Sequence, residues 1–151
     1  MAVVTIKGQP GKAFATDVRT ATHVLVADEP VGDGGDGLGL SPYELLLAAL
    51  GSCTAMTLQL YAKRKGWPLE RVEVTLEFDR IHEHDSEQVE DATRRIDRIQ
   101  RAFVLDGPLT DEQRNRLLEI AARCPVHRTI TGKPRIFDTL SDHSSLSSAM
   151  M

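Results

Sequence analysis

The sequence predicts an α+β fold, and three observations carry that prediction. Residues 71–80 alternate without a break, with Val72, Val74, Leu76 and Phe78 on one side and Glu73, Thr75, Glu77 and Asp79 on the other. A period of two is the mark of a half-buried strand. Residues 45–50 read Leu-Leu-Leu-Ala-Ala-Leu, apolar on every side of a helix and therefore expected to be buried all round. The predicted strands surround two helices in an order that does not alternate, which argues against a parallel α/β sheet.

The elements follow in chain order. Residues 2–7 (Ala-Val-Val-Thr-Ile-Lys) read as a strand, and Gly8, Pro10 and Gly11 as a turn. Residues 13–28 carry further strand signal, clearest at His23-Val24-Leu25-Val26-Ala27, before a loop from Pro30 to Gly39 with five glycines and two aspartates. Ser41-Pro42-Tyr43-Glu44 is a helix start in which Ser41 suits the N-cap, Pro42 the first helical position and Glu44 the capping box. That helix is expected to run to about Lys65, with Gly66 as its C-terminal cap. The strand at 71–80 comes next, then a polar loop or hairpin tip over 82–92, then a strand over 95–105 with Ile99, Phe103 and Leu105 on one side. Thr110 to Gln113 is a second capping box. The helix it opens is expected to carry Leu117, Ile120, Ala121 and Cys124 on one face and to end at Pro125. Residues 133–140 read as a last strand. Residues 1–140 are expected to form a single domain, with 141–151 a Ser-rich flexible tail.

Composition narrows the function classes. At 151 residues the chain has the length of one domain, and 41% apolar with 26% charged residues is ordinary for a soluble protein. A net charge of −4 argues against nucleic acid as a partner, because phosphate contacts need a basic surface. The N-terminus has no basic segment leading into an apolar core, so no secretory leader is expected. No run approaching the roughly 18 apolar residues of a membrane span is expected either. The expected compartment is the cytoplasm, where two cysteines are core residues, metal ligands or a redox pair rather than a permanent staple.

The two cysteines are Cys53, in the middle of the first helix, and Cys124, at the end of the second. Each has an ordinary reading as a small core hydrophobe. Their functional reading requires them to meet: a thiolate opens a peroxide O–O bond and becomes sulfenic acid, and a second thiol condenses with it to a disulfide. An apolar setting raises a thiol pKa, so such a site needs a cation. Arg19, the only arginine before residue 64, is a candidate, and Arg123 and Arg128 flank Cys124. Glu44 lies nine positions before Cys53, about 13–14 Å along a helix axis. It can cap the helix, or orient a bridging arginine, but cannot touch Cys53. Cys124-Pro125-Val126-His127 has a Cys-x-x-His spacing, yet zinc needs two further ligands and no second close cysteine pair exists. No metal or cofactor is expected, and His127 is instead a candidate to orient or deprotonate Cys124. Gly32-Asp33-Gly34-Gly35-Asp36-Gly37 matches a dinucleotide fingerprint in letters only. Its aspartates would repel a pyrophosphate, and the helix starts too late. A flexible loop is expected there.

Residues 39–58, Gly-Leu-Ser-Pro-Tyr-Glu-Leu-Leu-Leu-Ala-Ala-Leu-Gly-Ser-Cys-Thr-Ala-Met-Thr-Leu, resemble the central helix of the OsmC/Ohr family. The run from Arg114 to His127 resembles that family's second cysteine segment, and the resemblance extends over roughly residues 3–140. It implies antiparallel sheets wrapped around two buried central helices in an intertwined homodimer, with the active site at the subunit interface. It implies reduction of organic hydroperoxides, and of hydrogen peroxide in some members, with Cys53 as the attacking cysteine and Cys124 as the resolving one. The reductant would be a lipoylated protein or another dithiol. The family's peroxidase branches carry Asn-Pro-Glu at this helix start; here Tyr43 occupies the glutamate position and Glu44 is one later, so the chain is closer to the general OsmC-like branch. Arg19 lies in the region that supplies the family's arginine. The alternative to an enzyme is a non-catalytic module that senses oxidants or binds an apolar ligand.

Overall fold

The computed structural model describes residues 1–83 and 94–141. The polar loop expected over 82–92 falls largely outside the described residues, as do His84, His143 and the serine-rich tail beyond Ser141. The chain separates into two compact units, Met1–Leu45 with the segment from Pro134 onward, and Leu46–Lys133.

The first unit is built on β1 (Thr5–Gly8), β2 (Thr16–Arg19) and β3 (Val24–Ala27), an antiparallel sheet in the order β1-β2-β3. Val18 is paired with Ile6 on one side and Leu25 on the other. The glycine-rich stretch that follows is not the free loop expected of it. A short 3-10 turn occupies Val31–Asp33, and the segment closes on the buried carboxylate of Asp28. Asp28 Oδ1 accepts the Glu29 N–H at 2.9 Å, and Oδ2 accepts those of Asp36 and Leu38 at 3.1 and 3.2 Å. Burial alone would raise the Asp28 pKa, but these main-chain donors outweigh it and hold the group below its ordinary value. The stabilisation is thus present above the unfolded aspartate value near pH 4 and is lost as pH falls through the lower folded value. Denaturant titrations are expected to show Asp28→Asn less stable than wild type at pH 6, with the gap closing toward pH 3. A gap that does not change with pH would show that the carboxylate charge is not what ties the loop.

Residues 133–140, expected as a last strand, have no regular structure. A strand persists only where a neighbour takes up its N–H and C=O groups, and no ladder among the described residues includes this segment. Ile136, Phe137 and Leu140 are exposed.

The second unit holds most of α1 (Pro42–Lys65), the long hairpin β4 (Arg71–Glu83) and β5 (Arg94–Asp106), α2 (Asp111–Ala121) and α3 (Pro125–Thr131). The start of α1 is the expected capping box: the Ser41 N–H donates to Glu44 Oε2 at 2.8 Å, and the Glu44 N–H to Ser41 Oγ at 3.3 Å. At its other end Gly66, at φ 66°, turns the chain while the Trp67 N–H reaches back to the Ala62 carbonyl and the Gly66 N–H to that of Lys63. This is a glycine-terminated Schellman end. The α2 capping box between Thr110 and Gln113 is also formed.

The hairpin register sets Val72, Val74, Leu76 and Phe78 opposite Leu105, Phe103, Arg101 and Ile99. The polar half of β5 becomes strand because its charges pair across the ladder, Arg98 with Asp79 and Arg80 with Asp97. The core cluster joins Leu58 and Ala62 of α1, Leu105 of β5, and Leu117, Ile120 and Ala121 of α2.

Only one stripe of α1 is covered, along Leu50, Gly51, Thr54, Leu58 and Ala62. A two-stranded sheet covers one face of a helix, so the all-round burial expected for its first half is not met within a single chain: Leu46, Ala48 and Ala49 are exposed, and so are Met56 and Leu60 further along. By length and composition alone α1 is apolar enough to cross a bilayer, with an 18-residue window of mean hydropathy 1.5, where the sequence reading expected no such run. Its packing of Leu58 and Ala62 into the cluster with α2 and β5 makes it the core helix of this unit.

Candidate active site

Gly51 lets α1 lie close on the hairpin. A Cβ there would stand 2.6 Å from Leu76 Cδ1, and Leu76 is the cross-strand partner of Arg101. One turn further along the same stripe is Thr54, fully buried. Close approach at Gly51 therefore delivers Thr54 to Arg101, whose Nη1 donates to Thr54 Oγ1 at 3.1 Å and to the Ala121 carbonyl, in the last turn of α2, at 3.3 Å.

Cys53, next to Thr54, is half-buried. It lines a surface groove of about 410 Å3 whose walls are mainly apolar, among them Ala49, Met56, Leu60, Pro125 and Val126. Cys124 is 0% exposed. Both thiols are free, and Cys53 lies close enough to Cys124 to influence its titration.

The setting of Cys124 differs from the one its spacing suggested. It is not on the face of α2, which ends at Ala121, but is the extended N-cap residue of α3 at φ −63°, ψ 139°. The cause is Pro125, which excludes its predecessor from helical backbone and itself opens the next helix. Cys124 Sγ accepts the main-chain N–H of His127 at 3.3 Å and faces the Thr54 hydroxyl at 3.6 Å. Burial pushes this thiol up. The His127 N–H, the Thr54 hydroxyl, the Cys53 thiol and the positive charge of Arg101 together outweigh it, so Cys124 titrates below its ordinary value.

Of the residues singled out in the sequence, the second unit gathers Cys53, Cys124 and His127, the last through its main chain; His127 also lines a separate cavity of about 260 Å3 with Arg101 and Asp97. Arg19 and Glu44 belong to the first unit. Arg19 pairs with Asp17 at 3.0 Å, and Glu44 caps α1. Among the described residues no three His, Cys, Asp or Glu side chains gather as a metal site. Arg101 and Thr54 were not picked out from the sequence. The one signal was positional: Arg101 falls between Ile99 and Phe103 on the apolar face of its strand, where a cation is out of place unless it has a partner.

A half-exposed thiol in an apolar groove and a buried thiol held by hydrogen bonds thus share one α+β unit. The family model described as OsmC-like protein matches residues 34–137, and the chain belongs to the OsmC-like protein family. Solved structures share its fold at low identity. An OsmC-like protein from Mycoplasma pneumoniae is 16% identical, with 88% of this chain and 89% of that one covered at a TM-score of 0.69. An organic hydroperoxide resistance protein OsmC from Legionella pneumophila is 20% identical, with 87% and 90% covered at 0.63. The organic hydroperoxide resistance protein OhrB of Bacillus subtilis is 18% identical, with 88% and 92% covered at 0.61. No curated protein is a significant match.

Proposed function

We propose that this chain is a cytoplasmic thiol peroxidase that reduces organic hydroperoxides. The observation that carries the reading is the arrangement of the two thiols: Cys53 faces an apolar groove suited to an alkyl hydroperoxide, and Cys124 lies buried next to it. The Cys53 sulfur attacks one peroxide oxygen, the O–O bond breaks, and the alcohol leaves carrying the thiol proton. Cys53 is then a sulfenic acid, and condensation with Cys124 yields a disulfide and water. A dithiol reductant, such as a lipoylated protein, returns both thiols by exchange. Hydroperoxide resistance in the names of two structural relatives supports the substrate class. A second copy of the chain is proposed to cover Leu46, Met56 and Leu60, which a single chain leaves exposed.

Native and denaturing mass spectrometry before and after one equivalent of tert-butyl hydroperoxide tests both parts. The expected native mass is twice 16.7 kDa, and the expected change is the loss of two hydrogens per chain, mapped to a Cys53–Cys124 disulfide. An unchanged chain mass, with Cys53 still alkylatable, would sink the peroxidase reading. The apolar groove also suits a non-catalytic module that binds an apolar ligand, and that same result would favour it.

A further inference from the structure

Three groups meet at Cys124 without a role in the scheme above: the Arg101 guanidinium, the Thr54 hydroxyl and the end of α2. Thr54 Oγ1 carries a single hydrogen but has two acceptors within reach, the Leu50 carbonyl at 2.7 Å and Cys124 Sγ at 3.6 Å. It can serve only one at a time. The third position on that oxygen is taken by the Arg101 N–H at 3.1 Å. While Cys124 is a neutral thiol, a weak acceptor, the hydroxyl hydrogen is better used on Leu50, as buried helix threonines commonly do. Once Cys124 ionises, the sulfur becomes the stronger acceptor. The hydrogen then swings to it, with the guanidinium charge placed behind the same oxygen. All these groups belong to the second unit.

We propose that Arg101, acting through the Thr54 hydroxyl, is the positioning residue that holds Cys124 as the thiolate which resolves oxidised Cys53. This rests on the peroxidase reading and concerns its second step. The Cys124 thiolate places an electron pair on the Cys53 sulfur, the S–S bond forms as the S–OH bond breaks, and the departing hydroxide takes a proton to become water. A thiolate does this and a neutral thiol does not. Because Cys124 is wholly buried, solvent cannot stabilise its charge, and the stabilisation must come from fixed groups. The groups that face it are Arg101 from β5, Cys53 and Thr54 from α1, and the His127 main chain from α3. His127 and Asp97 line the cavity beside Arg101, and Arg123 next to Cys124 is exposed. Among these, Arg101 is the one permanent cation that also donates to Thr54.

The test separates this step from the peroxide chemistry. In a Cys53→Ser background the thiolate ultraviolet absorbance reports Cys124 alone and needs no reagent to enter the core. Adding Arg101→Met is expected to move its midpoint upward by about one pH unit, a tenfold change in the dissociation constant. Thr54→Val, which keeps the side-chain shape but removes the relay, is expected to move it the same way, and Arg101→Lys to restore most of the difference. With Cys53 present, hydroperoxide-treated Arg101→Met is expected to accumulate sulfenic acid that a dione reagent traps, where wild type forms disulfide. A midpoint that stays put in both Arg101→Met and Thr54→Val, with thermal stability alone reduced, would assign the pair a purely structural role and overturn the proposal. If no variant is ever oxidised at Cys53, the peroxidase reading fails, while the titration still decides what Arg101 does to Cys124.

Discussion

Cys53→Ser is expected to abolish hydroperoxide consumption, whereas Cys124→Ser is expected to leave the first turnover intact and stop the second. The contrast follows from where the two sulfurs sit. Cys53 opens on the apolar groove and Cys124 is sealed behind it. A serine hydroxyl at position 53 has neither the low pKa nor the polarizable sulfur needed to open an O–O bond, so the rate should fall by roughly a thousandfold or more, as when a nucleophile is removed from other enzymes. Serine at 124 leaves that attack available but cannot condense with the product. The sulfenic acid then persists, and with excess peroxide it goes on to the sulfinic form, which thiols do not reverse. Stopped-flow peroxide consumption and intact mass together read both arms: no change for Cys53→Ser, and gain of two oxygen atoms without disulfide for Cys124→Ser. Equal slow rates for wild type and Cys53→Ser would remove the thiol from the reaction altogether. If Cys124→Ser instead turned over repeatedly with an added monothiol, Cys124 would be dispensable and the resolving role would fall.

What the sequence reveals here, and what it conceals, divides by distance along the chain. The boundaries of α1 were legible because each rests on residues that touch their near neighbours: Ser41 with Glu44, and Gly66 with the turn before it. The alternation of β4 was legible because one face is covered and the other is not. Cys124 was placed on the wrong element for a local reason. Its spacing from Leu117 and Ile120 fits a helix face, but Pro125, the very next residue, outranks periodicity and makes it the cap of a new helix. Residues 133–140 have strand composition, yet strand formation depends on a partner edge that no local pattern supplies. Arg101 and Thr54 were missed for the same kind of reason. They lie 47 positions apart, and only the close packing of Gly51 on Leu76 brings them together. A periodic pattern can show that Arg101 faces inward; it cannot show what meets it there.

The largest effect on stability is expected from Leu117→Ala, with Leu118→Ala as its neighbour and control. Leu117 is 0% exposed and packs with Leu58, Ala62, Leu105, Ile120 and Ala121, while Leu118, one residue on, is 46% exposed. Truncating the first leaves a cavity between α1, α2 and β5 and should cost about 2–5 kcal/mol. For a chain of this size that lowers Tm by roughly 5–15 °C. Truncating the second should stay within about 1 kcal/mol. The effect reaches the site as well as the fold, because the turn of α2 that carries Ile120 and Ala121 also presents the Ala121 carbonyl to Arg101 and leads directly into Cys124. Loosening that turn lowers the free energy of the local opening that exposes the sealed thiol. Alkylation of Cys124 under native conditions is therefore expected to be much faster in Leu117→Ala than in Leu118→Ala, at temperatures where both remain folded. Equal alkylation rates, despite the difference in Tm, would mean that the thiol is sheltered by α1 and α3 alone and that the Leu117 cluster supports the fold without guarding the site.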